Sequence, residues 1–569
     1  MNLTQYPTLV AAFEDRAAAA PEMRLITFLN EDGRIEHLTY RELLDQARSY
    51  AAAFGRLGAG PGDLVILVMN HALELLPAFW GALLAGVVPS IFPYQTEKLD
   101  ADIYRQRVRR LVEGSGARFV VTFAAFQLAL VELFAGMPIT IVRADELAQL
   151  ADQSAAAASP ALDRDQTAFI QYSSGTTGLQ KGVVLSHRAA LNNIQAIARA
   201  VELRSNDVVV CWLPLHHDMG LITGMMLPIL AGIPAVLLSP FQWVRDPSLL
   251  LKAVHRYHGT LCWMPNFAFN HCARSIRERD LEGLDLSHWR TLIDGGEPVR
   301  LDSLRLFAER FAPLGFREQA LGAGYGMAEI TGAVCITPMG RMPRVDWVSL
   351  RTLQEAQRAE PAPPEQPGAT PIVSSGRLVQ GVEAQIVGAG DTSLPERHIG
   401  EILVRSNAML SGYHNRPDLT ADAMRLGWHR TGDLGYLSQG DLFVTGRLKD
   451  LIISGGRNIY PEDIEALAST LDGVRPGRAV AFGLPDATLG TEAVVMVCEL
   501  REEGKAEAQI AVERELRRRV TRHLDVALAE VRFVERGWVV KTPSGKVARA
   551  ANREKYLRLP GRLTPSGED

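Results

Sequence analysis

Residues 173–182 are of the types that grip phosphate. Two serines, two threonines, three glycines and one lysine share these ten positions, flanked by apolar runs. Glycines let the chain turn tightly and bring backbone N–H groups against an anion, and hydroxyls add donors. Lys181 supplies a compact, mobile positive charge suited to a polyphosphate. The order is not that of a Walker loop, which needs Gly-Lys followed by Ser or Thr entering a helix. Here Lys181 follows Gln180, precedes Gly182 and returns into a strand-like run at 183–185. A flexible linker seldom sits tightly between two β-rich segments. Ser173, Ser174, Gly175, Thr176, Thr177, Gly178 and Lys181 therefore read as a phosphate-binding loop.

Other chemistry-bearing residues come in short runs. Trp212-Leu213-Pro214-Leu215-His216-His217-Asp218-Met219-Gly220 offers two imidazoles and a carboxylate, types that suit zinc. Adjacent residues rarely point at one centre, and no second ligand cluster is near in sequence, so no metal is expected there. His216 reads as a satisfied core histidine, while an imidazole at His217 can donate a hydrogen bond to a carboxylate. In Asp294-Gly295-Gly296-Glu297-Pro298-Val299 the glycines leave room for a planar base against backbone. Gly324-Tyr325-Gly326-Met327-Ala328-Glu329 sets an aromatic face ahead of a hard oxygen ligand suited to Mg²⁺ on phosphates. On its residues alone, a turn at a strand end explains that run as well. Asp433, in a glycine-flanked turn, is a carboxylate able to accept from a ribose diol, or to cap an ordinary Asx turn. Near the C-terminus Pro543-Ser544-Gly545 presents Lys546 at the tip of a turn.

In this order the runs resemble the adenylate-forming superfamily of acyl-CoA synthetases, peptide-synthetase adenylation domains and luciferases. The resemblance covers nearly the whole chain and is greatest to the fatty-acyl-AMP ligases. It implies that the 173–178 loop, Lys181, Gly295, Gly296, Glu297, Tyr325, Gly326, Met327, Ala328, Asp433, Arg447 and Lys546 bind ATP and AMP. Within that set Tyr325 lies on adenine, Asp433 takes the ribose, and Arg447 also reaches the nucleotide. Glu329 holds Mg²⁺ and His217 lines the acyl pocket near the substrate carboxylate. Lys546, with Glu329, His217 and Lys181, makes up the catalytic set. Lys546 contacts the carboxylate and α-phosphate, where it neutralises charge that builds in the transition state. No general base is needed, since a carboxylate already attacks. Lys449, in GRLKD, matches the position about which a small C-terminal domain swings.

The same resemblance bears on the substrates. Amino-acid-activating relatives place an aspartate in the pocket, and that position falls near Asn266 and Phe267 in the apolar run LCWMPNFAF, so a fatty or otherwise apolar acid is expected. ATP and Mg²⁺ are implied, and the acceptor is the pantetheine thiol of an acyl carrier protein, with coenzyme A the alternative. Residues 339–372, with VDWVSL, a Pro-rich run and then VSSGR, resemble the insertion that marks fatty-acyl-AMP ligases and is associated with carrier transfer. Gly455-Gly456 instead resembles the coenzyme A synthetases. A regulator that grips ATP without chemistry is the rival from another class. Lys181, Glu329, Asp433 and Lys546 argue against it, because a pure binder has no use for a lysine on a mobile tail.

Positioning such residues takes more than one core, and 569 residues imply at least two domains. β-Branched runs alternate with helical patterns, as in LVILVMN before ALELLPAFWGALLAG and FVVTF before FQLALVELFAG, which argues for parallel sheets covered by helices. The resemblance implies a large N-terminal domain, residues 1–446, of two αβ sheets packed with helices plus a small β-barrel. A small mobile α+β domain, 447–569, carries the lysine loop. Residues 152–160 and the Pro-rich 357–371 read as loops. Composition is 47% hydrophobic and 22% charged with a net charge of −5, and no basic block suggests nucleic-acid binding. Asn70, His71 and Glu74 interrupt the most apolar region, 64–92, which reads as a buried strand and helix and not a membrane span. Glu14, Asp15 and Arg16 break the apolar N-terminus, so it is no secretory signal. Five cysteines without CxxC pairing fit a reduced, cytoplasmic protein.

Overall fold

The computed structural model describes residues 2–94, 101–151, 160–172, 181–486, 491–501, 506–542 and 545–563. Its backbone is a 14-stranded sheet with a parallel half, edged by the antiparallel strand Ile35–Thr39, and an antiparallel half. Parallel pairing joins Leu321–Gly326, Thr291–Asp294, Leu261–Met264, Val209–Cys211, Ala235–Leu238 and Arg24–Leu29 in that spatial order. These strands are apolar along nearly their whole length, as a sheet covered on both faces requires. The antiparallel part is built from Ala333–Ile336, Gly376–Leu378, Asp441–Arg447, Trp428–Ser438, Gly400–Ser406 and Val382–Val387. It stands where the resemblance implied a small barrel, and runs as an open extension of the large sheet.

A second sheet confirms the βα alternation read from sequence. Val88–Phe92, Leu64–Val68, Phe119–Thr122 and Thr140–Arg143 are parallel neighbours. The helix Leu75–Leu84 between two of them is buried at every position. No described helix is long and apolar enough to cross a membrane. The strand expected after the phosphate loop is Gly182–Ser186, paired with Thr167–Tyr172 and Gly412–Tyr413.

The C-terminal part has its own sheet, Val474–Asp486, Thr491–Leu500 and Leu528–Val534, packed by the helices Pro461–Ser469, Ala506–Leu524 and Arg549–Tyr556. A short hairpin, Ile452–Ser454 with Arg457–Ile459, precedes it.

Residues 339–372 are more regular than their prolines suggest. Ala369–Val373 pairs with Val345–Ser349, setting Pro371 opposite Trp347, and Leu350–Glu355 is helical. Proline is tolerated there because a strand in a two-stranded ribbon has an edge that needs no N–H. Regular elements are lacking only at 339–344 and 356–368, so that 369–371, expected as loop from their proline content, are strand instead. The segment touches both parts of the molecule. Asp346 accepts from Tyr436 Oη (2.8 Å) and Arg397 Nη2 (3.0 Å) on the large sheet's side. Val348, Leu350 and Leu353 share a core with Ile459, Leu524 and Val526 of the C-terminal part, where Gln354 Nε2 also donates to Leu524 O at 3.3 Å.

Candidate active site

Four of the motifs singled out in the sequence follow the carboxyl ends of four adjacent parallel strands. WLPLHHD follows Val209–Cys211, PNF follows Leu261–Met264, GGEPVR follows Thr291–Asp294, and MAE follows Leu321–Gly326. Open α/β sheets bind ligands at this edge, because the loops there are not committed to the sheet. Here they line one wall of a cleft of about 2030 Å³, and residues of the C-terminal part, Lys541 and Lys546 among them, line the other.

The first polar group in the cleft is set by strand register. Asp433 on Trp428–Ser438 stands opposite Arg447 on Asp441–Arg447. Arg447 Nε lies 3.0 Å from Asp433 Oδ1, and Tyr325 Oη donates to Oδ2 at 2.6 Å. Burial and then the Asp433 carboxylate push the Tyr325 hydroxyl well above its usual range, so it stays a donor. Asp433 in turn raises Arg447. The backbone leaves no latitude here: a Cβ on Gly326 would stand 2.3 Å from Gly332 O.

Glu329 lies in the 3₁₀ turn Ala328–Ile330. Its Oε1 accepts from Tyr413 Oη at 2.9 Å, and Leu410 N donates to its carbonyl at 2.8 Å. With its proton given to Glu329, Tyr413 accepts from His429 Nε2 at 3.3 Å. The Lys181 ammonium sits over the same tyrosine ring, 4.8 Å from its centroid, a cation–π contact. Thr331, fully buried at φ +67°, is a β-branched residue in the left-handed region. Such strain persists only where the surroundings over-determine it. Among the described residues no group of three or more His, Cys, Asp or Glu could hold a metal ion. Glu329 alone nevertheless fits Mg²⁺, which keeps several waters and is held by one or two carboxylates plus phosphate oxygens.

His216 and His217 differ in their surroundings, and His216, which borders the cleft, is not the satisfied core histidine expected from sequence. His216 is withdrawn from water, which with the neighbouring His217 and His71 brings it down to about 3 and keeps it neutral, and its Nε2 has no partner. His217 Nδ1 lies 2.7 Å from Asp218 Oδ1, so a carboxylate orients its ring. Burial alone would raise Asp218, but His217 and then Lys546 bring it to about 2. Lys546 is half-buried in the cleft. Burial and Arg447 hold its ammonium below the usual lysine value, while Asp218, Glu297 and Asp433 act in the opposite sense.

The Asn266 position carries a nuance invisible in sequence. Asn266 Nδ2 donates to Asp294 Oδ2 at 2.7 Å, Ser303 Oγ donates to Asn266 Oδ1 at 3.0 Å, and Asn270 Nδ2 donates to Ser303 Oγ at 2.7 Å. An acid thus stands behind the wall. Burial pushes Asp294 far above the carboxylate range, so it is neutral and offers no counter-charge to an amino group.

Lys181, His217, Gly295, Gly296, Glu297, Tyr325, Gly326, Met327, Ala328, Glu329, Asp433, Arg447, Lys449 and Lys546 all line this one cleft. Ser173, Ser174, Gly175, Thr176, Thr177 and Gly178 lie outside the described residues. Sequence reasoning missed Tyr413 and the orienting role of Asp218. Tyr413 gives no local signal, since its partner Glu329 is 84 residues away.

Known proteins resemble this chain along most of its length. The model of the AMP-binding enzyme family matches residues 13–414. A putative acyl-CoA synthetase of Caulobacter vibrioides is 32% identical over 560 residues, covering 98% of this chain and 96% of that protein. The medium-chain-fatty-acid–[acyl-carrier-protein] ligase JamA of Moorena producens is 30% identical over 576 residues, with 98% and 96% coverage. Among solved structures, one from studies of fatty acyl-adenylate ligases of E. coli and L. pneumophila superposes with a TM-score of 0.90 at 27% identity, covering 98% of this chain and 99% of that one.

Proposed function

The chain belongs to the AMP-binding enzyme family, and from that premise we propose that it activates a fatty or otherwise apolar carboxylic acid with ATP. The acyl group of the resulting acyl-adenylate then passes to the pantetheine thiol of an acyl carrier protein, and AMP leaves. The observation that carries this reading is the meeting of Lys546, from the C-terminal part, with Asp218, Glu297, Asp433 and Arg447 at the carboxyl edge of the large sheet.

In this mechanism Asp433 and Arg447 hold the ribose, each Asp433 oxygen keeping a lone pair beyond its present partner. Tyr325 packs on adenine, with Gly295 and Gly296 supplying a flat floor. The 173–178 loop and Lys181 take the phosphates, and Glu329 would hold Mg²⁺, which when bound would neutralise phosphate charge. His217, oriented by Asp218, donates to the acid's carboxylate. That carboxylate attacks the α-phosphorus, the bond to the bridging oxygen breaks, and pyrophosphate leaves with the electron pair. Lys546 stabilises charge on the α-phosphoryl oxygens as it builds. The site's contribution is aligned reactants and matched charge.

We take 1–446 and 447–569 as the two domains, with Arg447 at the junction still paired to the large sheet, because Asp441–Arg447 is the last strand of that sheet and the turn Leu448–Asp450, with Lys449 as hinge, follows it. Two features support the carrier protein over coenzyme A. Residues 345–373 contact both parts of the molecule, and a contact made in one of two arrangements biases the equilibrium between them. Gly455 and Gly456, the pointer to coenzyme A, sit at φ +59° and +75° in the hairpin between Ser454 and Arg457. A two-residue type I′ turn demands that conformation whatever the acceptor is. All five cysteines are buried and unpaired, which supports a cytoplasmic setting. Acid-dependent ATP–pyrophosphate exchange across a fatty-acid panel tests the reading. Exchange with at least one apolar acid supports it, and ATP binding without exchange for any acid refutes it.

A further inference from the structure

Arg300 ends the GGEPVR run and caps the helix Leu301–Phe311, so its backbone belongs to the nucleotide side of the cleft. Its side chain reaches across. Arg300 Nη1 lies 2.6 Å from Asp463 Oδ1, in the first turn of the C-terminal helix Pro461–Ser469. Two other acids of that helix hold a second arginine: Glu465 Oε1 is 2.9 Å from Arg549 Nη2, and Glu462 Oε1 is 3.2 Å from Arg549 Nη1. Arg549 Nη1 also lies 2.6 Å from Asp450 Oδ2, beside Lys449. Arg549 is buried and stands three residues after Lys546. Two sets of ion pairs, joined by the helix Pro461–Ser469, thus connect the nucleotide-side loop to the base of the lysine loop.

We propose that Arg300 is a positioning residue for adenylation, resting on the function proposed above. Its pair with Asp463 seats the C-terminal part so that Lys546 enters the cleft, and Arg549 makes helix and lysine loop move as one body. The division of labour follows from burial. Arg549 is enclosed with its partners, so removing one leaves an uncompensated charge, and that cluster stays intact as the C-terminal part turns. The Arg300 and Asp463 side chains keep 34% and 29% exposure, so water can replace each partner when the pair opens. The pair is therefore a reversible contact that favours the arrangement in which it forms.

Charge reversal tests this. Arg300→Glu and Asp463→Arg should each cut acid-dependent pyrophosphate exchange about tenfold, and the double variant should recover most of the loss. Transfer from synthetic acyl-adenylate to free pantetheine should change less than twofold in all three. Arg300→Gln, gentler on folding, should lose exchange several-fold at an unchanged melting temperature. Unchanged exchange in the single variants, equal loss in both half-reactions, or a double variant no better than the singles would overturn the proposal. A wild-type protein without exchange indicts the functional reading instead. The seating role is then judged by small-angle scattering, where Arg300→Glu must enlarge the radius of gyration and the double variant restore it.

Discussion

On the large wall of the cleft the working groups hang from strand ends whose cores are wholly buried; on the C-terminal wall Lys546 hangs from a loop held by ion pairs. Asp433 and Arg447 face each other because two long strands set their register, and Tyr325 lies in, and Glu329 just after, a strand buried among aliphatic neighbours. Shifting any of them means breaking packed apolar contacts. The C-terminal wall meets the large one through the part-exposed pair of Arg300 with Asp463 and through an apolar contact in which Val348, Leu350 and Leu353 are joined by Leu434, Tyr436 and Phe443. Contacts of that kind let domains move. The difference separates two jobs: one wall recognises nucleotide in a fixed geometry, and the other delivers a charge that can be withdrawn.

The sharpest way to break that comparison is Lys546→Ala. A single preorganised contact to developing charge is worth about 3–4 kcal/mol, so adenylation should fall about 10²–10³-fold. Transfer from supplied acyl-adenylate should fall far less, since the lysine has no task once the adenylate exists. Single-turnover assays of each half-reaction decide it, and equal losses would falsify the division of labour.

Asp433→Asn probes the fixed wall and should fall next in size. It removes the charge that Tyr325 and Arg447 share, and hydrogen bonds to charged groups contribute about 1.5–3 kcal/mol. The KM for ATP should rise about 10–100-fold, while transfer from supplied acyl-adenylate should weaken too, because the wall serves both steps. Loss confined to adenylation would contradict a wall common to both.

A pH profile sharpens the mobile side. The Lys546 ammonium is held below the usual value of 10.5, so its charge disappears as pH rises through a lower midpoint. The kcat/KM of exchange, which reports the free enzyme, should therefore decline on the alkaline side with a midpoint under 10.5. That limb should vanish in Lys546→Ala; its persistence there would assign it to another group.

The smallest effect is expected at His216. His216→Ala should leave metal dependence unchanged, because the ring is neutral and buried beside His217. Stoichiometric zinc lost on that change would restore the metal reading of His216-His217-Asp218.

The two walls also differ in how far the sequence disclosed them. The parallel strands were readable because a sheet covered on both faces writes itself as unbroken apolar runs, such as 64–68 and 119–122. The motifs at their ends were readable as residue types in a fixed order. Tyr413 on Glu329, Asp294 behind Asn266 and Arg300 on Asp463 were not, since each contact joins residues 28 to 163 positions apart. The insertion shows the same limit. Its prolines marked 357–371 as irregular, which fails at 369–371, paired there with 347–349, and the burial of Val348 depends on a core completed more than a hundred residues later. Gly455-Gly456 is open to two readings from sequence alone, because a hairpin's need for positive φ yields the same pair that resembles the coenzyme A synthetases.

Whether the 345–373 contact gates the acceptor is the central claim, and product mass spectrometry tests it most directly. Purified protein would receive ATP, Mg²⁺ and an accepted acid, with coenzyme A and a pantetheinylated carrier protein offered separately, beside a variant shortened within 357–368. The account predicts acyl-adenylate in both proteins, acyl-carrier product from the intact one, and acyl-coenzyme A rising only in the shortened one. Acyl-coenzyme A formed by the intact protein as fast as acyl-carrier product would contradict the gate.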